Sequence, residues 1–295
     1  MRRRSFLQGS ILLFLKDILL GGGGVVMASE AAKKHSKPTP KAGKYLEYMT
    51  WKEAEPELKA SEVVLIPLGA RLKEHGLHLP LNNDWIMAEY LTRRVLDQRS
   101  VLATPTVQFG YYPAFVEYPG SIQINKETCR DFIADICRSL HRHGPKKFYV
   151  LNTGVSTNRA LEPARQLLAK EGITLEYTDL LATMEDIEKK VRTQSAGTHA
   201  DEIETSMMLY IAPEIVNMKL AQKDIHTDHG PGGLTRDPNA TQGVYSPTGA
   251  WGDPTLATRE KGQIVVEALI GKIVAALGEF QSKDYVVAPP RDKYL

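Results

Sequence analysis

From residue 61 onward, short β-branched runs alternate with amphipathic segments, a pattern that few folds accommodate. The run Val63-Val64-Leu65-Ile66-Pro67-Leu68 is apolar throughout and predicts a buried strand that ends at Gly69. Further strands are predicted at 101–107, 147–152 and 174–177, with helices between them. Strands separated by helices favour parallel pairing, with helices on both faces of the sheet. The sequence therefore predicts a single three-layer α/β/α domain with a mostly parallel sheet.

Composition limits the class of protein. The chain has 295 residues, 42% of them hydrophobic, which is enough for one sizeable core. A net charge of +2 with 24% charged residues excludes a nucleic-acid binder driven by overall basicity and a highly charged disordered chain. We therefore expect a small-molecule substrate and no nucleic-acid partner.

The first residues resemble an export address. Arg3-Arg4-Ser5-Phe6-Leu7 precedes the apolar run Ile11-Leu12-Leu13-Phe14-Leu15, the order of a twin-arginine signal, and Val26-Met27-Ala28 offers a cleavage site. This predicts a signal at 1–28 and a periplasmic or otherwise exported protein, with no stable membrane span after signal removal. Lys16-Asp17 interrupts the apolar run and favours the alternative, a basic N-terminus on a cytoplasmic protein.

The remaining boundaries follow from composition. We expect a lead-in segment at 29–59, the α/β domain at 60–280 and a C-terminal tail at 281–295, solvated at Arg291 to Tyr294. Cys129 and Cys137 lie eight residues apart in one predicted helix, about 12 Å along its axis, whereas a disulfide needs Cα atoms within roughly 7 Å. Both cysteines are therefore predicted to be buried free thiols.

Two histidines and two acids follow the first predicted strand, in the segment from Lys73 to Asp84 that contains Glu74, His75 and His78. The loops at the carboxyl ends of parallel strands build active sites in α/β proteins. Imidazoles with carboxylates suit zinc or manganese, and such an ion lowers the pKa of water to make a nucleophile near neutral pH. The residues alone leave two interpretations open, a metal site and a hydrogen-bonded loop.

The same segment resembles the creatininase family, whose motif runs E-x-H-G-x-H-L-P with an aspartate nine residues after the first histidine, the spacing of His75 and Asp84. Three further stretches, at 118–121, 197–206 and 251–258, are similar to the family's F-P-G-T, H-A-G-E-x-E-T-S and W/Y-G-D-P-T-x-A-T segments. The resemblance spans roughly residues 60 to 275 and marks a divergent member of a family of metal-dependent amidohydrolases.

The resemblance implies roles for individual residues. His75, Asp84 and Glu204 are the expected metal ligands, and His199 is expected near the substrate as a catalytic residue. Glu204 has a second interpretation as the third residue of a capping box opened by Asp201. His199 likewise has a second interpretation as a buried, hydrogen-bonded loop residue.

The chain departs from the family pattern at two ligand positions. Lys73 stands where the family has a glutamate, and the acid is the adjacent Glu74, which we expect to act as a catalytic base or a fourth ligand unless the role has been lost. The family histidine after the third strand is missing from the segment that begins at Asn152. These losses favour one divalent ion over two, with zinc or manganese expected and iron as a further candidate.

The predicted pocket is aromatic. Tyr112, Phe115 and Trp251 are expected to bind substrate by stacking on a ring, because aromatic residues replace polar ones upstream of the 118–121 stretch. Ser195-Ala196 stand where creatinine-hydrolysing members carry Trp-Asp, so the pocket is not expected to be built for creatinine. The predicted long loop 224–253 contains a cluster of Asp224, His226, Asp228 and His229. These residues either complete the metal site, form a lid or belong to a solvated polar loop, and the last interpretation is favoured.

These observations favour a metal-dependent hydrolase of creatininase type that acts on a cyclic amide or related ring carbonyl compound through a metal-activated water. Two alternatives stay open: a hydrolase that cleaves a carbon–carbon bond in an oxidised cyclic polyol, and an inactive small-molecule binding protein with the same fold. The resemblance also implies a homo-oligomer, with a hexamer as the usual family assembly.

Overall fold

The computed structural model describes residues 43–227 and 233–295. The predicted export signal and residues 29–42 of the lead-in lie outside these ranges. Among the residues described, none of the helices combines the length and the apolar character needed to cross a bilayer.

A five-stranded parallel sheet forms the centre of the domain. Its strands are β1 (Lys44–Tyr45), β2 (Val63–Leu68), β3 (Leu102–Ala103), β4 (Lys147–Asn152) and β5 (Thr174–Tyr177), in the spatial order β1-β3-β2-β4-β5. The helices are α1 (Trp51–Ala60), α2 (Asn83–Leu96), α3 (Lys126–His141), α4 (Asn158–Ala169), α5 (Leu180–Val191), α6 (Glu202–Ile211) and α7 (Arg259–Gln281). This architecture confirms the predicted fold class.

Alternating side chains of the central strands face two separate apolar cores. Leu65 and Leu151 pack with α2, α6 and α7 on one face, whereas Ile66 and Val150 pack with α3 and α4 on the other. The alternation follows from the two-residue period of a strand. Because both faces are covered by helices, β2 and β4 are apolar along almost their whole length.

The domain begins earlier than the predicted boundary at residue 60. Strand β1 pairs with β3, and Thr50 and Glu53 form a capping box at the start of α1. Leu58 of α1 is buried in the α3–α4 core. Residues 44–59 fall within the predicted lead-in, but Leu46, Met49 and Ala54 also pack against this core.

The C-terminal segment 281–295 makes specific contacts with the domain, although most of its residues are exposed. The Arg291 guanidinium lies 3.2 Å from the Glu176 carboxylate, and Tyr294 donates a 2.6 Å hydrogen bond to Asp179. Arg165 donates to the carbonyls of Ala288 and Pro289. The tail is polar because it is held by buried charged groups next to β5 rather than by an apolar stripe.

The structure shortens one predicted strand and confirms the prediction about the two cysteines. The expected strand at 101–107 is regular only at Leu102–Ala103, because Pro105 has no N–H to continue the ladder, and Val107 makes an isolated bridge to Leu68. Cys129 and Cys137 are buried free thiols on α3, as predicted.

Helices α6 and α7 pack closely at Gly262, and this contact generates a stability prediction. A Cβ added at Gly262 would lie well inside contact distance of the Ser206 carbonyl oxygen, whereas a Cβ at Gly271 of the same helix meets nothing within 4 Å. We expect Gly262→Ala to lower the free energy of unfolding by about 1–3 kcal/mol through overpacking. Gly271→Ala is the matched control and should be neutral or stabilising by up to about 1 kcal/mol.

Urea unfolding of both variants measures the difference. Equal effects of the two substitutions would contradict the close α6–α7 contact.

Candidate metal centre

The candidate site lies at the carboxyl end of β2. The loop from Gly69 to Asn82 carries Glu74 and His75, and Asp84 is in the first turn of α2. Opposite this loop, His199 precedes α6, and Glu204 lies in the first turn of that helix. Antiparallel backbone hydrogen bonds between His199 and Trp251 fix the position of the His199 segment.

The backbone fixes which nitrogen of His75 carries a proton. His75 Nδ1 lies 2.8 Å from the Lys73 carbonyl oxygen, which can only accept, so Nδ1–H is the donor. In the neutral ring Nε2 then presents its lone pair. This nitrogen lies 2.8 Å from Asp84 Oδ1 and 3.5 Å from Glu204 Oε1, so it faces two carboxylates.

His199 has the opposite tautomer. Its Nε2 lies 3.0 Å from the Glu74 carbonyl oxygen and 3.1 Å from Glu74 Oε2, so Nε2–H donates to both acceptors. Nδ1 therefore carries the lone pair and lies 3.7 Å from Glu204 Oε2. Burial lowers the pKa of His199, but the neighbouring Glu74 carboxylate outweighs burial and the net pKa is raised.

Glu204 lies between these two imidazoles. Asn83 Nδ2 donates to its Oε1 at 2.9 Å, and the Ala200 N–H donates to its Oε2 at 2.7 Å. Asp201 is the N-cap of α6 and accepts from the Glu204 N–H. The predicted capping box is therefore present in part. The Asp201 side chain accepts from the Glu204 N–H, but the Glu204 carboxylate accepts from the N–H of Ala200, one residue before the N-cap, and not from that of Asp201. The same carboxylate faces both histidines.

The donor set fits a divalent metal ion. One ligand atom from each of His75, His199 and Glu204 lies within 4.8 Å of the others. Ligands that are each about 2 Å from one ion lie roughly 3–4 Å apart, close to the 3.5 and 3.7 Å separations here. Two imidazole lone pairs that face one carboxylate repel it unless a cation lies between them. Because the histidines are held by Nδ1–H and Nε2–H donations to backbone carbonyls, their free nitrogens are oriented for such an ion.

The predicted ligand set and the observed group differ in one member. His199, predicted to be catalytic, joins His75 and Glu204, whereas Asp84 contacts His75 and an ammonium group. Lys73 Nζ lies 2.6 Å from Asp84 Oδ2, and both side chains are buried. Burial raises the pKa of Asp84, but the adjacent Lys73 ammonium outweighs burial and holds the pKa well below its usual range.

Glu74 is placed beside His199 rather than among the converging ligand atoms. Its Oε1 accepts a hydrogen bond from the Gly76 N–H, and its own N–H donates to Ser121 Oγ at 2.9 Å. Ser121 belongs to the stretch that resembles F-P-G-T, so that segment supports the loop that carries the site. The carboxylate of Glu74 is positioned to orient His199.

The predicted substrate-binding residues line one cavity of about 310 Å³ beside the metal group. The Phe115 ring lies 4.1 Å from the His199 ring, measured between centroids. Tyr112 presents its ring, while its hydroxyl donates to the carbonyls of Ile122 and Leu72. Trp251 completes this aromatic wall and donates from Nε1 to the His226 carbonyl at 3.0 Å. Their role in binding substrate stays a prediction.

The segment that lacks the family histidine is filled by structural hydrogen bonds. Thr153 Oγ1 donates to the Asp84 and Leu68 carbonyls. In the 224–253 segment, Asp224 pairs with His226 at 2.9 Å and accepts from Ser246 and Thr248. Asp224 and His226 are therefore bonded within their own segment and stand apart from the metal group found among the described residues. Asp228 and His229, nearby in sequence, lie outside the described ranges.

Sequence reasoning missed two contributors. Asn83, which supports Glu204, carries no motif signal because its role depends on a residue 121 positions away. In the sequence, Lys73 is recognised only as the residue that replaces a glutamate of the family motif. A cation at the position of a missing ligand, two residues before His75, is a signal that could have identified it.

A parallel α/β sheet with an imidazole–carboxylate centre at the carboxyl ends of its strands defines a class of metal-dependent enzymes. The chain belongs to the creatininase family, because the family model "Creatininase: Creatinine amidohydrolase" matches residues 47–277. Members of this family are metal-dependent hydrolases, which confirms the predicted family and enzyme class.

Curated relatives cover most of the chain at low identity. Creatinine amidohydrolase of Pseudomonas putida is 26% identical over 256 residues, 78% of this chain and 95% of that protein. The 3-dehydro-scyllo-inosose hydrolase of Thermotoga maritima is 26% identical over 253 residues, 77% of this chain and 80% of that protein. A mycofactocin precursor peptide peptidase of Mycobacterium ulcerans is 27% identical over 236 residues, 74% of this chain and 85% of that protein.

Solved structures share the fold. A crystal structure of creatinine amidohydrolase (creatininase) superimposes with a TM-score of 0.70 at 22% identity, covering 80% of this chain and 96% of that one. Similar structures are described as "Creatininase Mn" and as a mutant creatininase of "Zn-Zn type". For this chain, a divalent metal is supported by its own donor set, His75, His199 and Glu204.

His78 generates a prediction about pH. Burial lowers its pKa to about 4, and its Nε2 is 2.7 Å from Thr205 Oγ1. An unfolded histidine titrates near about 6.5, so as the pH falls from about 6.5 to 4 the unfolded chain binds a proton that the folded chain does not. The stability contribution of neutral His78 is complete above this window and is lost within it, at about 1.4 kcal/mol per pH unit and roughly 3 kcal/mol in all.

His78→Gln keeps a polar partner for Thr205 and should flatten this pH dependence of unfolding in metal-free protein. The exposed His143→Gln is the matched control and should keep the wild-type slope. An unchanged slope in His78→Gln would show that His78 titrates normally.

Proposed function

We propose that this hydrolase opens a cyclic amide or a related ring carbonyl compound in the aromatic cavity beside the metal group. The observation that carries the proposal is the convergence of ligand atoms from His75, His199 and Glu204, of which His199 and Glu204 line that cavity. When bound there, a divalent ion lowers the pKa of water and polarises a carbonyl oxygen.

The protein's own residues prepare this chemistry in three ways. The Lys73 carbonyl and Glu74 hold the two imidazoles in the tautomers that point lone pairs at Glu204. Asn83 and the Ala200 N–H hold the Glu204 carboxylate. We assign Glu74 as the residue that orients His199 by accepting a hydrogen bond from its Nε2–H. Asp84 Oδ1 is a further oxygen beside His75 Nε2.

The cavity supports a small ring as substrate. A volume of about 310 Å³ is at the lower end of ligand pockets. The names of the relatives span creatinine, an inosose and a peptide, so family membership leaves the substrate open. Phe115, Tyr112 and Trp251 favour a flat ring between aromatic faces. Cleavage of a carbon–carbon bond in an oxidised cyclitol is the alternative that the same cavity accommodates.

The metal-ligand assignment gives a direct prediction. His75→Ala, His199→Ala and Glu204→Gln should each weaken zinc or manganese binding by more than about 100-fold, because changes to supporting residues alone cost about 10–100-fold. Metal content of purified protein and a titration of the metal-free form measure this. His143→Ala, at an exposed position after α3, is the matched control.

The outcome for His199→Ala separates two roles. Loss of metal supports the ligand role, whereas retained metal with lost turnover would support the role as a catalytic acid. A screen of cyclic amides, lactones and oxidised cyclitols with wild type and His75→Ala identifies the substrate class. Wild-type protein that binds no zinc, manganese or iron at neutral pH would refute the proposed function.

We further propose that the chain is exported by the twin-arginine route and assembles as a homo-oligomer, with a hexamer expected from the family resemblance. Arg3-Arg4 followed by an apolar run supports export. Arg3→Lys combined with Arg4→Lys should leave the protein in the cytoplasm, as measured by cell fractionation. Equal export of the double variant would contradict the twin-arginine route, and light scattering of the purified protein tests the oligomer.

A further inference from the structure

Lys73 is a buried lysine whose charge is matched by a single carboxylate oxygen. Its Nζ lies 2.6 Å from Asp84 Oδ2, and the two side chains are 7% and 1% exposed. Lysine is almost never buried to this extent unless it is paired, because its ammonium loses hydration. The burial of the Lys73–Asp84 ion pair therefore requires a structural or functional reason.

The two oxygens of Asp84 face different partners. Oδ1 lies 2.8 Å from His75 Nε2, next to the proposed metal position, whereas Oδ2 faces the ammonium of Lys73. A carboxylate with a cation on each oxygen has the arrangement of a bridge between two positive centres. Here one of those centres is part of the polypeptide.

Lys73 is also held rigidly. Its N–H donates to the Leu81 carbonyl at 3.0 Å, and its own carbonyl accepts from His75 Nδ1. Its Nζ lies 5.2 Å from the centroid of the Phe115 ring, a favourable cation–π distance. The same residue thus orients His75 through its backbone and neutralises Asp84 through its side chain.

We propose that the Lys73 ammonium is a built-in second cation that limits this centre to one divalent ion. The inference rests on the proposed metal site. Three carboxylates contact the two imidazoles: Glu74, Asp84 and Glu204. One ammonium and one divalent ion balance their three negative charges, whereas a second divalent ion would add two uncompensated positive charges and would have to displace Lys73 from Asp84 Oδ2.

Charge reversal at residue 73 tests this inference. Lys73→Glu replaces the ammonium with a fourth carboxylate. Two divalent ions then balance the four negative charges of the centre. We expect wild type to bind one equivalent of zinc or manganese and Lys73→Glu to bind two. Lys52→Glu makes the same charge change at an exposed residue of α1 and should stay at one equivalent.

Stoichiometry is measured on the full chain by stripping metal, titrating with Zn²⁺ or Mn²⁺ and determining bound metal after gel filtration. Near-ultraviolet circular dichroism establishes that each variant is folded. One equivalent in wild type with two in Lys73→Glu supports the inference. Two equivalents in wild type, or one in folded Lys73→Glu, overturns it. Wild type that binds none refutes the proposed metal site itself, a result distinct from a wrong stoichiometry.

A second measurement needs no variant. Wild type mixed with two equivalents of Mn²⁺ should give the electron paramagnetic resonance spectrum of isolated ions, with the second equivalent remaining in solution. A spectrum of exchange-coupled Mn²⁺ in wild type would overturn the inference even if Lys73→Glu fails to fold.

Discussion

The arrangement of the candidate metal site depends on the hydrogen bond that His75 Nδ1–H donates to the Lys73 carbonyl. It fixes the tautomer of His75, and thereby directs Nε2 toward Asp84 and Glu204. The adjacent Glu74 holds His199 in the complementary tautomer. One short loop after β2 therefore orients both imidazoles, and α6 needs only to bring a carboxylate between them.

Much of the fold follows from local patterns. The run at 63–68 becomes β2 and is apolar at every position because both faces of this central strand are buried. The strands predicted at 147–152 and 174–177 are also present, as β4 and β5. The end of β2 located the site, since loops at the carboxyl ends of parallel strands converge. The family resemblance implies that His75 and Asp84 lie in one site, and His75 Nε2 is 2.8 Å from Asp84 Oδ1.

The remaining features depend on contacts between distant segments. Two contacts depend on tertiary structure and cannot be predicted from local periodicity. They are the ion pair of Arg291 with Glu176 and the hydrogen bond from Asn83 to Glu204. The directions of the Glu74 and His199 side chains could not be predicted from the sequence either. Sequence placed Glu74 and His199 in the site, but whether each faces the ion or its partner depends on which backbone carbonyl each imidazole meets.

The separation of the ligand-bearing segments along the chain has a consequence for how the protein matures. His75 lies in the loop after β2, and Glu204 lies on α6, beyond three further strands and four α-helices. An unfolded or half-folded chain cannot present these donors together, so the site is a product of completed tertiary structure. A bound ion would then link the two segments and add its binding free energy to native stability. Retention of a bound ion would therefore report that the loop after β2 and helix α6 are in their native positions.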